Sequence, residues 1–203
     1  MKSLSEKKKT KKRATKAMGF SWGIAEEVGK NIRLLELFGL SGIKNLNEYF
    51  KSRSSSKFEN INLISEKNNS QNFPFCPITL GIRFLDQIRN LDKFSKITFS
   101  KISHPILILP FLSRSSEIIG KKIHLKFDQH EFLLNLNVSI LSNLFDKDYP
   151  TITNIAEINI VENKDNFSDK DWKNLYKISE ETFVEETDSL KQSAAGAGLT
   201  DND

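Results

Sequence analysis

The chain of 203 residues has one cysteine, Cys76, two methionines and five prolines. A single thiol excludes an internal disulfide, a Cys-based zinc finger and a Cys-x-x-Cys redox centre, and it suits a reducing compartment. Long apolar runs are also lacking. PILILPFL at 105–112 is the longest, far short of the about 20 residues that cross a bilayer. The basic start is not followed by the apolar stretch of a secretory signal. These lacks predict a soluble, cytoplasmic protein with no membrane partner. No Walker A loop, no G-x-G-x-x-G and no G-x-S-x-G occurs, which removes common nucleotide-binding and serine-hydrolase signatures. The three histidines, His104, His124 and His130, have no metal-ligand spacing. His124 falls on the outward face of a predicted strand and His130 in a turn, so the set reads as surface histidines. Cys76 lacks an adjacent His or Lys and reads as a buried, inert thiol. Ser113 and Ser115 read as helix caps.

What the chain does have is charge, unevenly placed. The net charge is +4, yet residues 2–16, KSLSEKKKTKKRATK, carry eight cations and one Glu, leaving 22 cations against 25 anions elsewhere. Phosphate neutralisation needs only Lys and Arg, but this block lacks interleaved aromatics and the Asn, Gln and Arg that read base edges. It predicts a solvated basic surface helix or arm over 1–16, and nucleic acid is an unlikely partner.

Helical spacing follows. Ser3 and Glu6 fit a capping box for a helix to about Ala17. SWGIAEEVGKNIRLLELFG (21–39) has Ser21 as cap, Gly39 as terminator and Ala25, Val28, Ile32 and Leu35 on one face. Glu26 and Lys30 are spaced for an i,i+4 pair. Ser41 predicts a cap for a third helix. Residues 52–72 are Asn- and Ser-rich and read as a polar loop with at most one short strand. The second half changes period. Residues 75–88 suit a short buried helix, 95–102 alternate as a half-buried strand, and PILILPFL reads as a central buried element ended or bulged by Pro110. SRSSEIIG forms a one- or two-turn helix, 121–137 a β-hairpin turning at Asp128–His130, and 151–162 a further strand. Ser168 caps a last helix carrying Trp172, Leu175, Tyr176 and Phe183. Helices at both ends of antiparallel strands predict an α+β fold: one domain over 1–190 and an extended tail over 191–203.

Two places draw functional readings. Glu26 and Glu27 follow Trp22-Gly23 on a helix, where neighbours point about 100° apart, so one can face a pocket as base or ligand while the other pairs with Lys30. Gly23 and Gly29 each cost about 1 kcal/mol relative to Ala in a helix interior, which predicts something packed closely on that helix. The second place is SAAGAGLTDND at 193–203. Gly196 and Gly198 widen the backbone's choices, and Asp201, Asn202 and Asp203 crowd oxygen acceptors. Such a group suits a hard cation or a nest of backbone amides.

KRATKAMGFSWGIAEEVGK, CPITLG, PILILPFL and AGAGLTDND together resemble an uncharacterised, mainly proteobacterial domain-of-unknown-function family over essentially the full length. Its marks are W-G-x-A-E-E-x-G near the start and A-G-A-G-L-x-D-N-D at the end. The resemblance implies no reaction. It implies that Gly196, Gly198, Leu199, Asp201, Asn202 and Asp203 are motif positions, and that the lysine block is a departure that does not carry the common function. The leading expectation is therefore a small-molecule or cation site, of unknown cofactor, formed by the tail with Trp22 as apolar wall, Glu26 or Glu27 as general base or ligand, and Asp201 and Asp203 orienting a cationic group or metal. The alternatives are an accessory protein whose tail docks into a protein partner and, third, weak nucleic-acid binding through the basic helix.

Overall fold

Apolar alternation builds the central layer. In the computed structural model, which describes residues 4–144 and 148–182, the strands are β1 (Lys67–Asn68), β2 (Lys96–Ser103), β3 (Lys122–Phe127), β4 (His130–Asn135), β5 (Ser139–Ser142) and β6 (Ile152–Val161). They form one sheet in the order β1-β2-β6-β3-β4-β5, antiparallel except for the β1–β2 pair. Successive side chains of a strand face opposite sides. Ile97 and Phe99 of β2, Ile123, Leu125 and Phe127 of β3, Phe132 and Leu134 of β4, and Ala156, Ile158 and Ile160 of β6 are buried together on one side. The residues between them carry the polar face, where Lys96 pairs with Glu157 and Lys126 with Glu131. The last of the described strands, β6, is thus seated between β2 and β3.

The helices are α1 (Leu4–Ala17), α2 (Trp22–Leu37), α3 (Gly42–Arg53), α4 (Pro77–Leu91), α5 (Leu109–Ile119) and α6 (Asp169–Ser179). Phe84, Ile88 and Leu91 of α4 and Leu109 and Leu112 of α5 join the sheet's inward residues in one core. Over them lie α2 and α3, through Val28, Ile32, Leu35, Leu46 and Tyr49, and α1 packs along α2. The chain divides into two compact units, Met1–Asn163 and Lys164–Asp203. The sheet and α1–α5 belong to the first. The second holds α6, which Ser168 caps as the sequence predicts; Asp171 completes a capping box with it, and Trp172 stacks on Phe167 at 5.7 Å.

The fold is α+β, with several local corrections. PILILPFL is a 3₁₀ turn (Pro105–Ile108) running into α5. A continuous apolar run does not distinguish a buried strand from a buried helix, and each proline sits in the first turn of its element, where the missing N–H costs nothing. Ser113 and Ser115 therefore lie inside α5, buried, with Ser115 Oγ donating to the Phe111 carbonyl at 2.9 Å. The start of α3 is capped by Glu36, whose Oε1 accepts from the Ile43 N–H at 2.8 Å. The basic helix α1 buries Lys11 and Thr15; Thr15 Oγ1 donates to the Lys11 carbonyl at 2.8 Å, so its hydroxyl enters the interior satisfied. Gly39 and Gly120 end α2 and α5 at φ +73° and +67°, a left-handed turn that a Cβ would strain.

Candidate functional site

A cleft of about 740 Å³ opens in the first unit, within the size range of small-molecule sites. One wall is the last two turns of α3, with Glu48 and Ser52, and the segment after it, with Ser55, Ser56, Lys57 and Phe58. Facing them are Phe73–Pro74, Ser103–His104 at the end of β2, and Thr151–Ile152 at the start of β6.

Polar chain is held in shape here by one carboxylate. Glu59 accepts from the backbone N–H groups of Gln71, Asn72 and Phe73 at 3.0, 2.6 and 3.0 Å. These bonds hold its carboxyl below the usual carboxylate range. The Glu59 N–H donates to the Pro74 carbonyl and its own carbonyl accepts from the Cys76 N–H. Phe75 then exchanges bonds with Lys101 and Ser103 at the end of β2. The loop from 59 to 75 is therefore stapled at its neck, and Phe73 and Pro74 are delivered to the cleft.

His104 is the polar centre of the lining. It sits at φ +44°, ψ 60°, a left-handed conformation that a non-glycine residue reaches at a cost of about 1–3 kcal/mol and that clusters at functional sites. Pro105 adds to the constraint, since a following proline disfavours the right-handed helical region. The His104 N–H donates to the Thr151 carbonyl at 2.8 Å, tying the strand end to β6. The side chain is 3% exposed; Nδ1 shares a 2.7 Å hydrogen bond with Ser103 Oγ, and Nε2 has no partner. Burial pushes its pKa down, against a smaller upward pull from the Glu48 charge, so the ring is neutral at pH 7.

Behind the ring the network is closed. Tyr49 meets His104 edge-on, centroids 5.8 Å apart. Arg53, a donor only, gives Nη1–H to the Tyr49 oxygen at 3.1 Å, which frees the phenol hydrogen for Cys76 Sγ at 3.0 Å. Burial first, then Cys76, drives the phenol far above its ordinary value and keeps it protonated. Cys76 is fully buried as the N-cap of α4, its sulfur also accepting from Thr79 N–H and Oγ1–H at 3.4 and 3.2 Å.

Trp22, Glu26 and Glu27 lie elsewhere, at the start of α2. Trp22 is 55% exposed, with the Lys12 and Lys16 ammonium groups each 5.7 Å from its ring centre. Glu26 pairs with Lys12 of α1 at 2.5 Å. Glu27 pairs with Lys30 at 3.0 Å and with Arg114 of α5. The two carboxylates diverge, and Lys30 takes the nearer Glu27 in place of the expected Glu26. Burial raises the Glu27 pKa, but hydrogen bonds and charge from Lys30 and Arg114 outweigh it, leaving it below the ordinary value. A Cβ on Gly23 would meet nothing within 4 Å, so no close neighbour explains that glycine. Gly196, Gly198, Asp201, Asn202 and Asp203 lie outside the described residues. Among the described residues no group of three His, Cys, Asp or Glu is placed to hold a metal, and no helix is long and apolar enough to cross a membrane.

Sequence reasoning passed over His104 and Glu59. The available signal for the first was the Ser-His-Pro step where strand alternation meets an apolar run. Of the other histidines, His130 is buried at 3% in β4, with the Phe127 and Tyr149 rings tilted against it at 5.3 and 5.2 Å, so only His124 keeps partial exposure.

Residues 2–73, 72 of the 203, match a protein family described as a protein of unknown function, DUF3726. No curated protein and no solved structure matches the chain. The matched stretch contains Trp22, Glu26, Glu27 and the cleft wall from Glu48 to Phe73, and it stops before Cys76 and His104. It supports a domain-of-unknown-function family over that stretch.

Proposed function

We propose that this protein binds a small molecule in the His104 cleft. One observation carries the reading: a cavity of ligand size, walled by Phe58, Phe73, Pro74 and Ile152, has in its lining a buried histidine with one nitrogen unpartnered and a strained backbone. A pocket of mostly apolar wall with few convergent polar groups is the usual build of a ligand site. The test is a metabolite and fragment screen by thermal shift, since a ligand at 100 times its Kd stabilises by about 2.7 kcal/mol. Ile152→Arg, at a half-exposed rim position, is expected to fold normally and to abolish the shifts. Shifts that persist in that variant would place the ligand elsewhere.

A second proposal rests on the sequence pattern at 193–203. There Gly196 and Gly198 admit backbone angles that other residues avoid, and Asp201, Asn202 and Asp203 offer oxygen ligands for a cationic group or metal, or a docking segment for a protein partner. A chain ending at Ala195 tests it. Each kcal/mol lost lowers the midpoint by roughly 2–4 °C at this size, so a drop of several degrees supports docking within the chain, and identical curves support a partner.

A further inference from the structure

The cleft has a neighbour at the end of α3. A second hollow of about 440 Å³, lined by Arg53, Ser56, Lys57, Phe58, Asn60 and Phe73, shares Ser56, Lys57, Phe58 and Phe73 with it. Ser56, Lys57 and Phe73 are exposed, so the shared boundary is an open rim and not a sealed wall. The two compartments differ in chemistry. The cleft adds Pro74 and Ile152 to the two phenylalanines and has Glu48 on its α3 wall. The second hollow has two charged residues in its lining, Arg53 and Lys57, and both are cations.

Arg53 is held by its neighbours. Its guanidinium lies 4.4 Å over the Phe20 ring, Nε–H donates to the Met18 carbonyl at 3.4 Å, and Nη1–H donates to the Tyr49 oxygen at 3.1 Å. These contacts fix the planar group. Nη2 has no partner among the described residues and, unlike the orphaned atoms of the core, keeps access to solvent. The residue is half-buried, yet no carboxylate of the described residues pairs with Arg53 or Lys57, whereas Lys12, Lys30 and Arg114 each hold one. The carbonyl-rich end of α3, which would repel an anion, is tied up by the chain itself. Ser52, Ser54 and Ser55 Oγ donate to the carbonyls of Tyr49, Phe50 and Ser52, and the Ser56 N–H donates to the Ser52 carbonyl at 2.8 Å. A fixed guanidinium with a free amino group and no counter-charge suits a carboxylate or a phosphate.

We infer that the ligand is an amphipathic anion, with an apolar body in the cleft against Phe58, Phe73 and Ile152 and a carboxylate or phosphate head carried over the shared rim to Arg53 and Lys57. The inference rests on the cleft being the ligand site. Glu48 sets the polarity, because an anionic head on its side of the cleft would meet a like charge. A cationic head would be repelled by Arg53 and Lys57, and a neutral one gains no ion pair from them.

The experiment is calorimetric titration of the full chain at pH 7 and low ionic strength. Four probes share one apolar body: phenylbutyrate, phenylbutyl phosphate, phenylbutanol and phenylbutylamine. At least one of the two anions should bind tenfold or more tightly than the alcohol, with the amine weakest, and the tighter anion identifies the head group. The anion-to-alcohol preference is a ratio, so partial loss of folded protein leaves it unchanged. It should fall to near one in Arg53→Gln. In Lys57→Glu, at an exposed position with no bond to lose, it should fall at least threefold, the scale of an exposed ion pair. Ile152→Arg should weaken anions and alcohol alike. Equal binding of anions and alcohol in the wild type, or a preference that survives both Arg53→Gln and Lys57→Glu, would overturn the inference while leaving the cleft a ligand site. Binding that ignores Ile152→Arg, or failure of all four probes, would overturn it together with the reading it rests on.

Discussion

Lys30 stands within helical reach of two glutamates, and what lies across the helix decides between them. Lys12 of α1 occupies Glu26, so Lys30 joins Arg114 on Glu27. Glu27 thereby ties α2 to α5 with a carboxylate only a quarter exposed. Glu27→Gln should cost about 1–2 kcal/mol at pH 7, the scale of a charged hydrogen bond reduced by partial solvation. The sign with pH follows from the lowered pKa: the contribution is complete above the unfolded value near 4.5 and is lost as pH falls through the folded one. Urea melts at pH 7 and pH 3 should show the gap between wild type and variant closing in acid; a gap that stays constant would remove the ionic account. For His104 the same linkage has its own window. Its folded pKa lies below 6.5, so stability is lost as pH drops from 6.5 toward the folded value. At this scale the sequence showed that Glu26 and Glu27 must diverge, because helical geometry alone requires it. It did not show their partners, which come from helices 14 residues before and 87 residues after. Nor did it show His104, whose burial is made by Tyr49 and by the junction with Thr151.

Elements were legible where their period was clean. The β3–β4 hairpin alternates strictly on the core side, β2 does so over Ile97–Phe99 and β6 over Ala156–Ile160, and α2 carries an uninterrupted 3.6-residue stripe. β5 was missed because an edge strand with no fully buried residue leaves no alternation to read. The pairing of α4 with α5 was also invisible, though it is among the tightest contacts in the protein. A Cβ on Gly81 would lie 2.3 Å from Phe111 Cδ2, and Phe111 is 1% exposed. Gly81→Ala must therefore push a buried ring off its rotamer or part the helices, at about 1–3 kcal/mol, despite the better helix propensity of Ala. The denaturation midpoint should fall accordingly. Adding Phe111→Leu should recover part of the loss, since the smaller side chain clears the new methyl; strict additivity of the two losses would mean that the contact is not the cause.

For the whole molecule, α+β class was readable from the order of helical and alternating segments, but strand order was not, because no local feature says that the last strand enters the middle. Among the described residues, every buried hydrophobic side chain lies between Phe20 and Ile160. A chain ending at Asn163 should therefore keep a single cooperative unfolding transition and the dispersed methyl resonances of a packed interior. A broad, non-cooperative melt would show that the second unit is needed for the first.

The seat of β6 also sets an order of events during synthesis. Until residues 152–161 are available, β1–β2 and β3–β4–β5 are two half-sheets with their facing edges unpaired, the condition in which chains aggregate. The helices can collapse early, but closure waits for the final strand, and the Thr151–Ile152 wall of the cleft arrives with it. An occupied cleft would thus be a sign that the sheet of a newly made chain has closed, and its occupant would hold shut the seam that was last to close.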